Sequence, residues 1–189
     1  ADALAFLHGK KIVHRDVKPS NLMVGPAGRV KLIDMGSAKW LEGSDEINIT
    51  RSGVGYGTLQ FMPPEQAFDA KRVDRRADVY SLGATLYTML TGKYPFRVQN
   101  MADILALSQT GQWVSPTQRN PLVPPAVSEA IRRMMQADPA DRPPDMAEVR
   151  TSLAALGPAD EAAIGAVYAA RRAAAEMPGA GDKTEILTA

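Results

Sequence analysis

Apolar positions recur along this chain at two spacings, and the change from one to the other organises it. Leu4 and Leu7 sit three apart in residues 1–10, a segment that stops at Gly9, so the pattern predicts the end of a helix. Lys11-Ile12-Val13 then runs extended into the polar stretch 14–21, where Pro19 rules out a continuing helix. Leu22-Met23-Val24 and Val30-Lys31-Leu32-Ile33 are short apolar runs on either side of Gly25-Pro26-Ala27-Gly28, a strong turn signal. Together they predict a β-hairpin, which sets Asn21 and Asp34 at neighbouring strand ends.

Downstream the helical spacing takes over. Over 74–91, Val79, Leu82, Gly83, Leu86, Met89 and Leu90 follow the i, i+3, i+4, i+7 rule, with Asp74 as cap and Gly92 as stop. Shorter helices are predicted over 101–109, around Val127, Ala130, Ile131 and Met134, and over 145–156. In the last, Asp145 and Glu148 form an acidic variant of a capping box. Residues 37–57 are polar and glycine-rich; a loop of that length inside a compact domain is functional or disordered. Beyond Gly157 the composition shifts to Ala, Gly, Glu and Arg. There, 162–176 predicts a helix whose alanine face buries little, and 178–189 reads as disordered. The expected fold class is therefore mainly α with a small β-hairpin. One domain covers 1–156, and 157–189 is a linker or disordered tail.

Composition narrows the chemistry. With 45% hydrophobic and 23% charged residues in 189, one domain with a substantial core is expected. A net charge of +1 gives no global field favouring nucleic acid or an anionic membrane. The absence of cysteine excludes disulfides, thiolate metal sites and cysteine nucleophiles, and fits a cytoplasmic setting. No apolar run reaches the roughly 18 residues that span a bilayer. The chain opens at Ala1 in mid-pattern, so it reads as a piece of a longer protein. At the hairpin ends, Asn21 and Asp34 supply two oxygen ligands that can share one hard cation such as Mg2+.

His14-Arg15-Asp16-Val17-Lys18-Pro19-Ser20-Asn21 has the spacing H-R-D-x-x-x-x-N, and Asp34-Met35-Gly36 follows it. These motifs resemble the eukaryotic-type protein kinase family, as it occurs in bacteria, and its serine/threonine branch. The resemblance implies the large, C-terminal lobe of the kinase fold, with ATP and Mg2+ as cofactors and a protein serine or threonine as acceptor. It makes Asp16 the group that accepts or orients the proton of the attacking hydroxyl. Lys18 becomes the charge that neutralises the transferring phosphoryl group, while Asn21 and Asp34 become the magnesium ligands. Met23 would lie on the floor beneath the adenine.

Other residues extend the likeness. Thr58 corresponds to a threonine that bonds the base and the lysine, and with Lys18 it points to serine/threonine specificity. Glu65 would pair with Arg142, and Asp78 would accept hydrogen bonds from the backbone of the catalytic loop. Arg15 invites a phosphate carried by Thr50 or Ser52, with Ser44 a weaker candidate. Two departures stand out: Asp34-Met35-Gly36 replaces Asp-Phe-Gly, and Pro63-Pro64-Glu65 replaces Ala-Pro-Glu. Neither touches a catalytic group.

The family's glycine-rich loop, strand lysine and partner glutamate all precede the catalytic loop, and residues 1–13 contain none of them. The expectation is a parent that is a serine/threonine kinase and a fragment that alone transfers no phosphate. One rival is a pseudokinase scaffold, which has no need of Asp16, Lys18, Asn21 and Asp34 together. The other is a small-molecule kinase of the aminoglycoside type; Lys18-Pro19, Thr58 and the Glu65–Arg142 pair speak for a protein substrate instead. Gly53-Val54-Gly55-Tyr56-Gly57 lacks the flanking strand and helix of a phosphate loop. His8 reads as a helix-end side chain, and Trp40 and Trp113 as packing residues. Remaining partner readings for the parent are a dimer, a phosphothreonine-binding domain reading Thr184-Glu185-Ile186-Leu187, and a membrane anchor outside this chain.

Overall fold

A computed structural model describes residues 1–25, 28–40, 59–68, 73–96, 100, 102–104, 106 and 113–176. The first helix, α1 (Asp2–Gly9), buries Leu4 and ends as expected at Gly9, although the left-handed residue that follows is Lys11, at φ 59°. Strand β1 (Ile12–Val13) pairs antiparallel with β4 (Lys39–Trp40), a pairing that two-residue strands give no alternation to reveal. The hairpin forms from β2 (Leu22–Val24) and β3 (Val30–Leu32), in the register Leu22 to Leu32, Met23 to Lys31 and Val24 to Val30. Gly28 takes φ +70°, a turn conformation that costs glycine little. Met23, Val24 and Val30 all stand more than half exposed on this hairpin.

After a short 3-10 turn at Leu59–Phe61 comes α2 (Pro64–Phe68), and then α3 (Arg76–Thr91), around which the core is built. Helix α3 starts two residues later than the sequence suggests, because the Asp74 carboxylate accepts the Arg76 N–H in a turn of its own. Most of its residues are buried, including Asp78, Ser81, Thr85 and Thr88. Its buried hydroxyls need acceptors and find backbone carbonyls: Ser81 donates to Phe61, Thr85 to Ser81 and Thr88 to Ala84.

Three further helices enclose it. They are α4 (Pro116–Arg119), α5 (Pro125–Met134) and α6 (Met146–Ala154). Val79, Leu82 and Tyr87 of α3 meet Val127, Ile131 and Met134 of α5 in one apolar cluster. Gly83 permits this approach, since a Cβ there would stand 2.8 Å from Met135 Cγ and 2.9 Å from Met134 Cβ. The expected capping box of α6 is one-sided. Asp145 accepts the Ala147 and Glu148 N–H groups, but the Glu148 side chain turns to Arg133 instead. Of the helix expected over 101–109, the described residues 102–104 and 106 are helical.

The alanine-rich segment differs from expectation. It forms α7 (Pro158–Glu176), four residues longer at its start, with Val167 fully buried and Ile164 against the main core. Its anchor is polar: Arg171 Nη1 donates to the Thr88 carbonyl at 2.9 Å and also to the Met89 carbonyl. These belong to the last turn of α3, where the Thr88 carbonyl also accepts the Gly92 N–H at 2.9 Å. A narrow stripe and one guanidinium thus dock a helix that its composition suggests would bury little. Among the described residues no helix is long and apolar enough to cross a membrane.

Candidate functional site

The loop 14–21 owes its shape to α3. Asp78, wholly buried in the first turn of that helix, accepts the His14 N–H through Oδ2 at 2.9 Å and the Arg15 N–H through Oδ1 at 2.8 Å. A carboxylate is favoured at a helix N-terminus, so the position suits its charge as well as its geometry. His8 Nε2 lies 2.7 Å from the same Oδ2, with its side chain almost completely buried. Arg15, between these contacts and Asp16, has φ +67°. That left-handed conformation costs a residue with a side chain about 1–2 kcal/mol, so the surroundings must hold it. Gln66 Nε2 donates to the Arg15 carbonyl at 3.1 Å, and the Thr85 hydroxyl, whose proton is shared with the Ser81 carbonyl at 2.7 Å, reaches the Val17 carbonyl at 3.3 Å. Burial pushes the Arg15 guanidinium below its ordinary pKa, and the charge of Asp78 works against that shift.

Three of the sequence-predicted residues converge. Asp16 Oδ2 stands 2.9 Å from Lys18 Nζ and accepts from Asn21 Nδ2 at 3.0 Å. Asn21 Nδ2 also donates to the Asp16 backbone carbonyl at 2.7 Å, and a 3-10 turn at Pro19–Asn21 folds the residue back for it. Both of these side-chain contacts fall on Oδ2. A carboxylate held in place through one oxygen can orient a hydroxyl and take its proton.

Asp34 sits just past β3, tied to Asn21 through the bond from the Ile33 N–H to the Asn21 carbonyl at 2.9 Å. Its φ is +64°, and its Oδ1 accepts the Gly36 N–H at 2.9 Å. With the Asn21 NH2 spent on Asp16, the amide's oxygen is its remaining end, and Asp34 keeps Oδ2. Amide and carboxylate oxygens suit Mg2+, so the donor set fits the ion. Among the described residues there is no cluster of three or more His, Cys, Asp or Glu able to hold a metal. Met35 and Met23 are exposed beside this site.

A second polar constellation fixes α2. Arg142 meets Glu65 in a bidentate pair and donates as well to the carbonyls of Gln136, Ala137 and Arg76. Its guanidinium lies 4.9 Å from the centre of the Tyr80 ring, a cation–π contact. Burial raises the Tyr80 phenol well above its ordinary range; Arg142 acts against this shift and Glu65 with it.

Thr58, Thr50, Ser52, Ser44, the glycines of 53–57 and the 184–187 motif lie outside the described residues. Three residues that hold the loop escape sequence reasoning, His8, Gln66 and Thr85. Their partners are 70, 51 and 68 positions away, and no local spacing signals a contact at that range.

The chain matches the family described as protein kinase domain over residues 1–152. It is 35% identical over 161 residues to the serine/threonine-protein kinase pkn3 of Myxococcus xanthus, covering 82% of this chain and 29% of that protein. It is also 36% identical over 151 residues to the serine/threonine-protein kinase PknB of Mycolicibacterium smegmatis, at 80% and 24% coverage. With Pkn1 of Myxococcus xanthus it shares 36% identity over 156 residues, at 80% and 22% coverage. The matched stretch thus amounts to less than a third of each of these relatives.

Proposed function

Because the chain belongs to the protein kinase domain family, we propose that it is the large lobe of a serine/threonine protein kinase that transfers the terminal phosphate of ATP to protein hydroxyls. The observation that carries this reading is the grip on Asp16: Lys18 Nζ and Asn21 Nδ2 on one carboxylate oxygen, on a loop whose backbone Asp78 fixes. Asp16 orients the acceptor hydroxyl and receives its proton. Lys18, paired with Asp16 at rest, is close enough to share its charge with an incoming phosphoryl group. Asn21 and Asp34 would hold Mg2+, which neutralises phosphate charge when bound. Phosphoryl transfer asks mainly for positioning and charge, and these residues supply both. Met23 and Met35, apolar and exposed, suit a nucleotide base and an upstream lobe resting on them. Phosphate on Thr50 or Ser52, drawn to Arg15, would favour the active arrangement.

The test uses a chain that carries the upstream lobe, incubated with Mg-ATP and a serine/threonine protein substrate. Transfer is expected, and Asp16→Asn should lower it roughly 10²–10⁴-fold, as loss of an acid–base group does. Asp34→Ala should abolish the magnesium dependence along with activity. This chain alone should transfer nothing. Undiminished transfer by Asp34→Ala, or transfer to an aminoglycoside in place of protein, would overturn the reading.

A further inference from the structure

The backbone of Arg15 is gripped from two sides by side chains of two different elements. Asp78 of α3 accepts its N–H at 2.8 Å, and Gln66 of α2 donates to its carbonyl at 3.1 Å. Asp78 is the grip the sequence suggests; Gln66 is not. Gln66 directly follows Glu65, which Arg142 fixes in place. It therefore projects from an anchored helix onto the residue that precedes Asp16 and holds φ +67°.

The other end of the same amide is informative. Among the described residues, the buried Gln66 Oε1 has no hydrogen-bond partner. A buried acceptor left unsatisfied works against stability, so this side chain is a poor device for holding the fold together. What it supplies is direction, an N–H aimed at the one carbonyl whose orientation follows from the left-handed turn at Arg15. That carbonyl shares its peptide unit with the Asp16 nitrogen.

We propose that Gln66 is a positioning residue. It keeps Arg15 left-handed by holding its carbonyl and so sets the direction from which Asp16 is presented. It touches no reacting atom and acts through Arg15. The seating of α2 by the Glu65–Arg142 pair thereby becomes a condition for the shape of the loop 14–21. The effect on Arg15 stands on geometry alone; the effect on turnover rests on the kinase reading above.

Gln66→Met keeps the length of the side chain and removes both the donor and the orphan oxygen. Gln66→Glu keeps the shape and lacks the N–H at neutral pH, and it asks the same question should the thioether unsettle α2. In this chain, the Arg15 13Cα and 13Cβ shifts report its backbone, and amide hydrogen exchange reports Arg15 and Asp16. The expected result is a move of the Arg15 shifts toward negative-φ values and exchange roughly tenfold faster at both amides, as loss of one hydrogen bond allows. The thermal midpoint should stay within about 4 °C of the unsubstituted chain. Shifts and exchange rates that match the unsubstituted chain in both variants would overturn the proposal. In a chain with its upstream lobe, Gln66→Met should lower kcat roughly 10- to 100-fold with KM for ATP unmoved. An unmoved kcat would refute the positioning role. Absence of transfer by the unsubstituted enzyme would instead refute the kinase reading and leave the Arg15 result standing.

Discussion

Arg142 meets Glu65 side by side, Nη1 to Oε1 at 2.6 Å and Nη2 to Oε2 at 2.8 Å, across 77 positions of sequence. The arginine side chain is fully buried and its remaining N–H groups are taken by carbonyls, so removing it strands a carboxylate with little water to turn to. Arg142→Ala should cost about 3–5 kcal/mol, the loss typical of a broken buried pair. For a chain of this size that is roughly 6–20 °C in thermal midpoint. Calorimetry decides it; an unmoved midpoint would mean that the pair carries no stability.

Asp78 offers two oxygens to two backbone N–H groups. An asparagine has one oxygen to give and would turn its own NH2 toward a backbone donor. Asp78→Asn should therefore lower stability by about 2–3 kcal/mol, read from the denaturant midpoint. The diagnostic sign is local: the His14 and Arg15 amides should lose protection from exchange more than the rest of the core does.

Gly92 closes α3 with φ +72°, and a Cβ on it would stand 3.0 Å from Arg171 Nη2. Gly92→Ala thus faces two costs, the left-handed backbone at about 1–2 kcal/mol and the crowding of the guanidinium. Arg171→Gln should cost about 1 kcal/mol through its lost carbonyl bonds. Combined, the two substitutions should cost less than their sum, because the second relieves the crowding caused by the first. A double-mutant cycle in urea measures this, and strict additivity would show that α7 does not sit on Gly92 in solution.

Burial raises the Tyr80 phenol above its ordinary 10.0. The folded chain must keep a proton that the unfolded chain releases, so this contribution is complete below pH 10 and is lost as pH climbs from there through the raised folded value. Each pH unit in that window takes up to about 1.4 kcal/mol. Tyr80→Phe should flatten the alkaline limb of a stability–pH curve while leaving neutral pH nearly alone. An alkaline limb of the same slope in both chains would place the titration elsewhere.

Local pattern made much of this architecture readable. The hairpin follows from two apolar runs around a Gly-Pro turn, and α3, α5 and α6 follow from helical spacing with Asp145 and Gly92 as punctuation. The candidate residues of the loop 14–21 were legible because they recur at short spacings, Asp16 to Lys18 to Asn21. What stayed hidden is long-range or hidden by composition. His8 looks like any helix-end histidine until Asp78 arrives beside it from 70 positions away. The β1–β4 pair is too short to show alternation. In α7, alanine content masks a stripe whose strength lies in one arginine bonding another helix's carbonyls, a partnership that hydropathy does not register.

The distance between Asp78 and the loop it holds bears on how this molecule comes to be. His14 and Arg15 leave the ribosome before their acceptor, which lies 64 and 63 positions later. Closing so long a loop carries an entropic cost that must be met before the contact returns anything. The loop is therefore made before the carboxylate that shapes it. A nascent chain halted before Asp78 holds every residue of the loop 14–21 and lacks the carboxylate that grips its backbone.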